Sequence, residues 1–447
     1  MSSGRKEPIH ALHRLVLVAA ALIYAALMNW SYERVESYLW EYRGYVWSPP
    51  GALYTGIGYG VTAAAALLLP LRLRRPSDIA WTAIFALVFV PITFLPFHWV
   101  RNPIDILPFV LLTLGCLAAL GWLLPRRPFN VNPLPFSRGA LEVFLTATAV
   151  AAGLYVLKLQ GFRLTLTVDE DYSRRLAARQ LVPSGTPGAY VLSLLEGTLA
   201  PLCIALGIEW RKRHMIVVGS FAMLCMFSFS GSKQSFLLPL MLVGMAYVLR
   251  RRSVSPALVL LVFLAAGIYY GANAWLEHGL IEPSANFGRR IVMSKGVSSA
   301  HYWHVFHDDP MLMRDSSLMT MLGYEKLPGK AFIVGDDLFS HVAENYDANA
   351  WAAAFANFGY VGVPLVTGLI ALIFWTLDSL AEQGHFEVMC LIAGQFAYLW
   401  GEQAFESSML SSGIAVTVIL VALLGRDSRS GASPAPARAT AAALAVP

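Results

Sequence analysis

The chain has 447 residues, of which 57% are hydrophobic and 14% are charged, and its mean hydropathy is +0.56. Soluble domains carry about 25% charged and about 45–50% apolar residues, so the composition excludes a soluble globular protein and predicts a membrane protein. The formal net charge of +5 does not indicate a nucleic-acid partner here, because Lys and Arg collect in the cytoplasmic loops of membrane proteins.

Apolar runs recur from one end of the chain to the other. A crossing needs about 17–25 predominantly apolar residues, which predicts an all-α polytopic protein with about twelve transmembrane helices. Residues 1–427 are predicted to form one membrane domain, and the Ala-, Ser- and Pro-rich segment 428–447 to be a disordered cytoplasmic tail. The four cysteines lie inside apolar runs, which predicts buried thiols and no disulfides. The approximate span cores are 14–30, 51–71, 79–99, 104–124, 140–159, 189–210, 215–231, 234–249, 255–275, 351–376, 386–404 and 408–424.

Basic residues in the short loops predict the orientation of the helices. Clusters of Lys and Arg follow the second, fourth, sixth and eighth spans, and the positive-inside rule places these loops and both termini in the cytoplasm. The first apolar run lacks a clear small-residue cleavage site, so it is interpreted as a retained anchor. The clusters are Arg72, Arg74 and Arg75; Arg126, Arg127 and Arg138; Arg211, Lys212 and Arg213; and Arg250, Arg251 and Arg252.

Two loops, 161–188 and 276–350, are then predicted to face the outside. Loops longer than about 12–15 residues are uncommon unless they are functional or disordered. The second loop is rich in aromatic residues, which argues against disorder. We therefore expect it to be partly helical, and we expect any active site on the extracytoplasmic face.

Cationic side chains near these loops are candidates for binding an anionic headgroup. Arginine binds phosphate through two parallel hydrogen bonds, and arginines in a short outward loop oppose the positive-inside bias. The alternative for the first loop is pairing with Asp169, Glu170 and Asp171. Lys233 stands alone between two apolar runs, where it pairs with an anion or snorkels to the surface. The predicted substrate-binding cations are Arg174, Arg175, Lys233, Arg289, Arg290 and Lys295.

The candidates for general acid–base catalysis lie between positions 336 and 345. Asp337, His341 and Asn345 recur at every fourth position, so a helix would place them on one face. Asp336 and Glu344 are their neighbours in the chain, and an aspartate beside a histidine can orient or polarise it. The alternative is a solvated amphipathic helix. No Gly-x-Ser-x-Gly elbow accompanies the group, so covalent catalysis is not predicted.

His301, His304 and His307 lie close together in the sequence but match no metal-binding motif. Aromatic residues alternate with them, which is typical of an amphipathic helix at a membrane surface. We therefore predict no metal site.

Several stretches resemble the O-antigen polymerase (oligosaccharide repeat-unit polymerase) family of bacterial inner-membrane proteins. "DYSRRLAAR" resembles the family's outward Tyr-x-x-Arg segment, and "FSFSGSKQSFLLPLM" its Gly-x-Lys turn, although Ser232 stands where a bulkier polar residue is expected. "RRIVMSKGVSSAHYWHVFHDDP" resembles the Arg-led stretch of its long periplasmic loop. "DANAWAAAFANFGYVGV" resembles its Asn-rich entry to the next span. The resemblance covers residues 171–363 in the same order.

This resemblance implies glycosyl transfer between undecaprenyl-diphosphate-linked oligosaccharides on the periplasmic face of the inner membrane. It implies no cofactor and no nucleotide-sugar site, and partners that include a chain-length regulator and a flippase. Asn345 and Asn349, with Asn357, are expected to contact sugar hydroxyls or to form the turn into the bilayer. Two alternatives remain open: a transporter or flippase of lipid-linked oligosaccharide, although the two halves show no repeat, and an O-antigen ligase.

Overall fold

The computed structural model describes residues 6–100, 102–122, 124, 128–129, 137–166, 171–183, 186–251, 255–339 and 345–424. These residues are almost entirely helical and form no strand, which confirms the predicted all-α class. In chain order the α-helices are α1 (Lys6–Ser31), α2 (Ser37–Leu39), α3 (Gly51–Ala66), α4 (Pro76–Ile84), α5 (Val90–Phe94), α6 (Pro96–Trp99), α7 (Pro103–Trp122), α8 (Arg138–Leu159), α9 (Asp171–Leu181), α10 (Pro187–Leu194), α11 (Ala200–Glu209), α12 (Arg213–Ser230), α13 (Lys233–Arg250), α14 (Pro256–His278), α15 (Ile281–Pro283), α16 (Ser294–Phe306), α17 (Ser317–Met321), α18 (Lys330–Phe339), α19 (Ala350–Phe358), α20 (Gly362–Leu380), α21 (Phe386–Glu402), α22 (Phe405–Leu410) and α23 (Ile414–Ala422).

Short segments of other helical types continue several of these helices. π-Helical turns often mark functional sites, because the extra residue redirects side chains. The described residues include five π-helical segments (Tyr32–Glu36, Phe85–Phe89, Leu195–Leu199, Ser284–Met293 and Ala381–His385) and two 3-10 turns (Glu41–Arg43 and Gly359–Val361).

Eight helical stretches in the described part of the chain are long and apolar enough to cross a membrane. The predicted count of about twelve is therefore not confirmed. The stretches are Ala11–Leu39, Pro76–Trp99, Pro103–Trp122, Arg138–Leu159, Pro187–Glu209, Arg213–Ser230, Pro256–His278 and Ala350–Glu402.

The difference between the two counts has local causes. Ala350–Glu402 is 53 residues long and contains two predicted cores, because left-handed backbone at Gly384 (φ 112°) separates α20 from α21. The second predicted span is the 16-residue α3. The eighth is α13, which has Lys233 at one end and Arg250 at the other. The twelfth is divided into α22 and α23 at Gly413, where φ is 71°.

The stretch Pro76–Trp99 lies at the centre of the helical bundle. Its apolar window is fully buried, and it packs against α14, α16, α20 and α21. Gly296 of α16 lies against the carbonyl group of Pro91, where an added Cβ would collide with the backbone. The backbones of α16 and the central stretch Pro76–Trp99 are therefore in close contact at Gly296.

Part of the predicted outer loop 276–350 is folded into this bundle. α14 extends the ninth span to His278, the π-helix Ser284–Met293 follows, and residues 295–303 of α16 are all buried. Interpreting the 301–307 region as a helix on the membrane surface was therefore wrong for His301. Its imidazole is 0% exposed, because α16 is enclosed by the central helix and α19.

The predicted helical face of acid–base residues does not form. α18 ends at Phe339, and Asn345 lies in a non-helical segment, 345–349. That segment runs back along α18, since the Tyr346 N–H donates to the Ala331 carbonyl at 3.0 Å. Asp337 and Asn345 therefore do not share a helix, and His341 and Glu344 lie outside the described residues.

Candidate functional site

A buried ammonium group joins two distant parts of the chain. Lys295, in the first turn of α16, is 1% exposed and forms an ion pair with Glu402 at the end of α21. Lys295 also donates to the carbonyl oxygen of Arg290, at the end of the π-helix. The Glu402 side chain is 30% exposed, so its carboxylate borders a region open to solvent while the ammonium does not.

Asn349 joins α16 to α19. Its Oδ1 accepts from the N–H groups of Trp351 (3.1 Å) and Ala352 (3.0 Å), which caps the start of α19. Its Nδ2 donates to the Lys295 carbonyl (3.0 Å) and to Ser299 Oγ (2.8 Å). The side chain is 0% exposed, and its hydrogen-bonding groups are occupied by the protein. Asn349 therefore forms the turn at the start of α19, which was one of the two expectations for it. No hydrogen-bonding group of its side chain is left for a sugar.

The preceding segment is clamped through Tyr346. Its carbonyl oxygen accepts from Tyr302 Oη at 3.0 Å, and its own hydroxyl pairs with His301 Nδ1 at 3.1 Å. Asn345 and Asp347, on either side of Tyr346, are both exposed. Asn345 Nδ2 donates to Asp347 Oδ2 at 2.6 Å.

Charges from three helices act on Asp347. Glu402 at the end of α21, Arg179 on α9 and Lys330 on α18 act on its carboxylate. The side chain is open to solvent although much protein surrounds it. The surrounding protein desolvates the carboxylate and so raises the pKa of Asp347. The negative charge of Glu402 raises this pKa further, whereas the Asn345 hydrogen bond, Arg179 and Lys330 oppose the rise. We call these residues, together with two that adjoin them, the central polar cluster: Arg179, Arg290, Lys295, Lys330, Asp347 and Glu402.

Lys330 is held by two further carboxylates. Its Nζ lies 2.9 Å from Asp315 Oδ2 and 2.7 Å from Glu406 Oε1, and Asn357 Nδ2 donates to the same Glu406 oxygen at 3.2 Å. Burial alone lowers the pKa of Lys330, but the two carboxylates outweigh burial and raise it. The outer loop is thereby tied to the helix that follows Glu402.

The Gly-x-Lys turn lies beside the cluster. Glu196, on the π-helical turn of its span, accepts from Ser232 Oγ at 2.9 Å and from Ser235 Oγ. Lys233 Nζ donates to Asn286 Oδ1 at 3.3 Å, which is a neutral amide oxygen and not an anion. Glu196, Glu402 and Arg290 all act on the Tyr398 hydroxyl, which places Glu196 near the cluster.

The two predicted neighbouring arginines lie on different surfaces. Arg290 is exposed within the central polar cluster, and its carbonyl oxygen accepts from Lys295. Arg289 stacks over Trp40, with Cζ 4.0 Å from the ring centre. It also acts on Glu36, a 0% exposed carboxylate that accepts from Ser284 Oγ at 2.6 Å. The structure therefore separates Arg289 from the site.

The two predicted arginines of α9, Arg174 and Arg175, lie in different surroundings. Arg174 donates to the carbonyl groups of Thr165 (2.9 Å) and Ser228 (3.5 Å) and lies over the Phe227 ring, which ties α9 to α12. Arg175 is half-buried on the same helix. The alternative partners of these arginines, residues 169–171, lie outside the described residues or have undescribed side chains.

Asp336 and Asp337 are exposed on the second half of α18. Sequence reasoning placed them in the site and omitted Asp347, Lys330, Glu402 and Glu196. A signal for the last was present, because an ionisable residue inside an apolar span suggests a functional site. Among the described residues, no group of three or more His, Cys, Asp and Glu could hold a metal ion. The cysteines are free, and Cys203, Cys225 and Cys390 are buried.

Comparison of the chain with protein-family models, with curated proteins and with solved structures gave no match.

Proposed function

We propose that this protein is a glycosyltransferase of the bacterial inner membrane. It joins undecaprenyl-diphosphate-linked oligosaccharide units into a surface polysaccharide. One observation carries the proposal: segments far apart in the sequence, each with a resemblance to O-antigen polymerases, meet around the central polar cluster. Arg179 of the first loop acts on Asp347 of the fourth segment, and Lys295 of the third is bonded to Asn349 of the fourth.

The chemistry of the cluster suits this reaction. Glycosyl transfer from a lipid diphosphate develops negative charge on the leaving phosphate, and fixed cations stabilise such charge. Arg179 and Arg290 are exposed cations at the cluster. Arg175 lies one turn before Arg179 on α9, and Lys233 belongs to the turn that is bonded to Glu196. The exposed Asn345 amide is available to a sugar hydroxyl. The donor already carries its activated phosphate, so the reaction needs no nucleotide.

We further propose that the cluster lies on the periplasmic face and that the chain crosses the membrane about twelve times. The alternating basic loops support this orientation. Single cysteines at Arg163 and Lys326, both exposed, should react with an impermeant maleimide in intact spheroplasts. A cysteine at Arg72 should react only after permeabilisation. The background is Cys116→Ser, since Cys116 is the native cysteine with partial exposure. Labelling of the Arg72 site in intact spheroplasts contradicts the orientation.

The polysaccharide of a deletion strain tests the function. A polymerase leaves single repeat units attached to their carrier and removes long chains. Loss of every attached repeat unit indicates a ligase or a flippase, and an unchanged profile excludes all three functions. Complementation with Arg175→Ala should fail to restore chain length at equal membrane level. The matched control is Asp308→Asn, an 89% exposed carboxylate, which should restore it.

A further inference from the structure

We infer that Asp347 is the general base that accepts the proton of the acceptor hydroxyl, an inference that rests on the proposed function. The residue lies in the segment 345–349, outside the predicted acid–base group. The inference follows from how that segment is held and from what the neighbouring carboxylates already bind.

The backbone presents Asp347 rigidly. Tyr346, on one side, is fixed by bonds from its N–H, carbonyl and hydroxyl groups. Asn349, on the other side, is fixed by four bonds of its amide. Between these anchors Ala348 points inward and is 3% exposed, while Asp347 points to solvent. A catalytic group works best when its own support is locked by packing and hydrogen bonds.

Three other carboxylates near the cluster bind cations, and Glu196 already accepts from the hydroxyls of Ser232 and Ser235. Glu402 neutralises the buried Lys295 ammonium, and Glu406 and Asp315 both bind Lys330. Protonating any of them would leave a buried cation with less compensation, which is costly. Asp347 has a hydrogen bond from the neutral Asn345 amide and no ion pair with another described residue, so protonating it leaves none of their buried cations without its carboxylate.

The groups that face Asp347 suit a base. Desolvation by the surrounding protein and the charge of Glu402 from α21 raise its pKa, and the Asn345 hydrogen bond, Arg179 from α9 and Lys330 from α18 limit the rise. The hydroxyl of Tyr302 from α16 also faces it. A raised pKa brings a carboxylate closer to the operating pH, where general bases are most effective.

The step balances as a substitution at the anomeric carbon of the donor. The acceptor hydroxyl oxygen forms the new bond to that carbon. The bond from the carbon to the diphosphate oxygen breaks, and its electron pair leaves with the lipid diphosphate. The hydroxyl proton moves to the Asp347 carboxylate and then to water.

The test uses the purified full-length protein and lipid-linked oligosaccharide extracted from the deletion strain, with chain growth as the readout. Asp347→Asn should lower the rate by about 10²–10⁴-fold, the usual contribution of a positioned base. The wild-type rate should rise with pH through the pKa of Asp347, and the residual rate of Asp347→Asn should not. Donor binding and thermal stability should match those of Asp308→Asn.

Several outcomes overturn the inference. One is a normal rate in Asp347→Asn; another is loss of rate in Asp336→Asn or Asp337→Asn with a normal rate in Asp347→Asn. If the variants do not reach the membrane, the pH profile of the wild-type rate still tests the inference. A wild-type rate that does not fall at acidic pH overturns it. Failure of the wild-type protein to extend the extracted oligosaccharide refutes the proposed function itself, so the two failures are distinguishable.

Discussion

Lys295 and Glu402 form an ion pair across 107 positions of the chain. The ammonium is 1% exposed and the carboxylate 30% exposed, so the two partners depend on each other unequally. A buried charge that loses its partner is left without compensation, whereas a partly exposed one regains water. This asymmetry predicts that equivalent changes at the two ends of the pair have different costs.

We expect Glu402→Gln to lower the free energy of unfolding by about 3 kcal/mol, the lower end of the cost of breaking a buried ion pair. Gln keeps a hydrogen-bond acceptor but leaves the ammonium charge uncompensated. Lys295→Met should cost less, about 1 kcal/mol, because the remaining carboxylate can be hydrated. Unfolding in detergent micelles measures both values.

The double variant Lys295→Met with Glu402→Gln provides the control. Once the ammonium is absent, neutralising the carboxylate should add little, so the double variant should resemble Lys295→Met. Additive losses in this cycle would show that the two side chains do not interact energetically.

Asn349 is expected to act on stability. Asn349→Ala removes the cap of α19, worth about 0.5–2 kcal/mol, and two buried hydrogen bonds of about 1 kcal/mol each, so a total loss of about 2–4 kcal/mol follows. Asn349→Ser keeps a capping oxygen and should lie between Ala and wild type. Asn345→Ala, at an exposed position, should leave the melting temperature unchanged. Equal melting temperatures for Asn349→Ala and wild type would contradict the capping role.

Hydropathy was sufficient to predict the helical class and the positions of the eight described stretches that are long and apolar enough to cross a membrane. It predicted a break between α20 and α21, where Gly384 lies, but not the break at Gly413, whose left-handed backbone falls inside the predicted core 408–424. It also misjudged residues 284–306, because their polar and aromatic mixture is typical of a surface loop. In the structure those polar groups are satisfied by partners far away in the chain, as the Lys295–Glu402 pair shows.

The candidate site was predictable only in part. Basic residues near the outer loops were identified, and Arg290, Lys295 and Lys233 do lie at or beside the cluster. The separation of Arg289 from Arg290 depends on the π-helix Ser284–Met293, whose geometry has no sequence signal. Periodicity assigned Asn345 to a helix, but it lies in a non-helical segment that the bonds of Tyr346 tie to α18 and α16. Asp347 was therefore not predicted as a site residue, although Asn345 and Asn349 were.

His301 predicts an acid limit to stability. Burial lowers the pKa of His301 to about 3, against which the Gly44 carbonyl acts only weakly. The unfolded chain binds this proton below about pH 6.5, and the folded chain does not until about pH 3. The contribution of the neutral His301 imidazole to the free energy of unfolding is thus fully present above pH 6.5. It falls as the pH drops toward 3, by at most about 1.4 kcal/mol per pH unit.

His301→Gln should flatten this part of the stability profile, although it lowers stability at neutral pH through the lost bonds to Tyr346 and Gly44. His13→Gln, at an exposed position, should retain the full wild-type slope. Unfolding curves in detergent at several pH values between 3 and 7 measure the slopes. An unchanged slope in His301→Gln would assign the acid limit to other groups.

Arg290 and Arg289 should separate activity from stability. Arg290→Ala removes an exposed guanidinium, so stability should change by less than about 0.5 kcal/mol. The rate of chain growth should fall by about 10²–10³-fold, the usual effect of removing one group that stabilises transition-state charge. Arg290→Lys keeps the charge but loses the planar fork, so its rate should also fall.

Arg289→Ala should show the opposite pattern. It removes the contact with Trp40 and the positive charge beside Glu36, which should lower stability by about 1–2 kcal/mol. Chain growth per folded molecule should then stay near the wild-type rate, because this guanidinium faces Trp40 and Glu36 and not the central polar cluster. Polymer of normal length in Arg290→Ala, at a normal membrane level, would remove Arg290 from the site. A loss of rate in folded Arg289→Ala would show that the two arginines act on one substrate despite their separation.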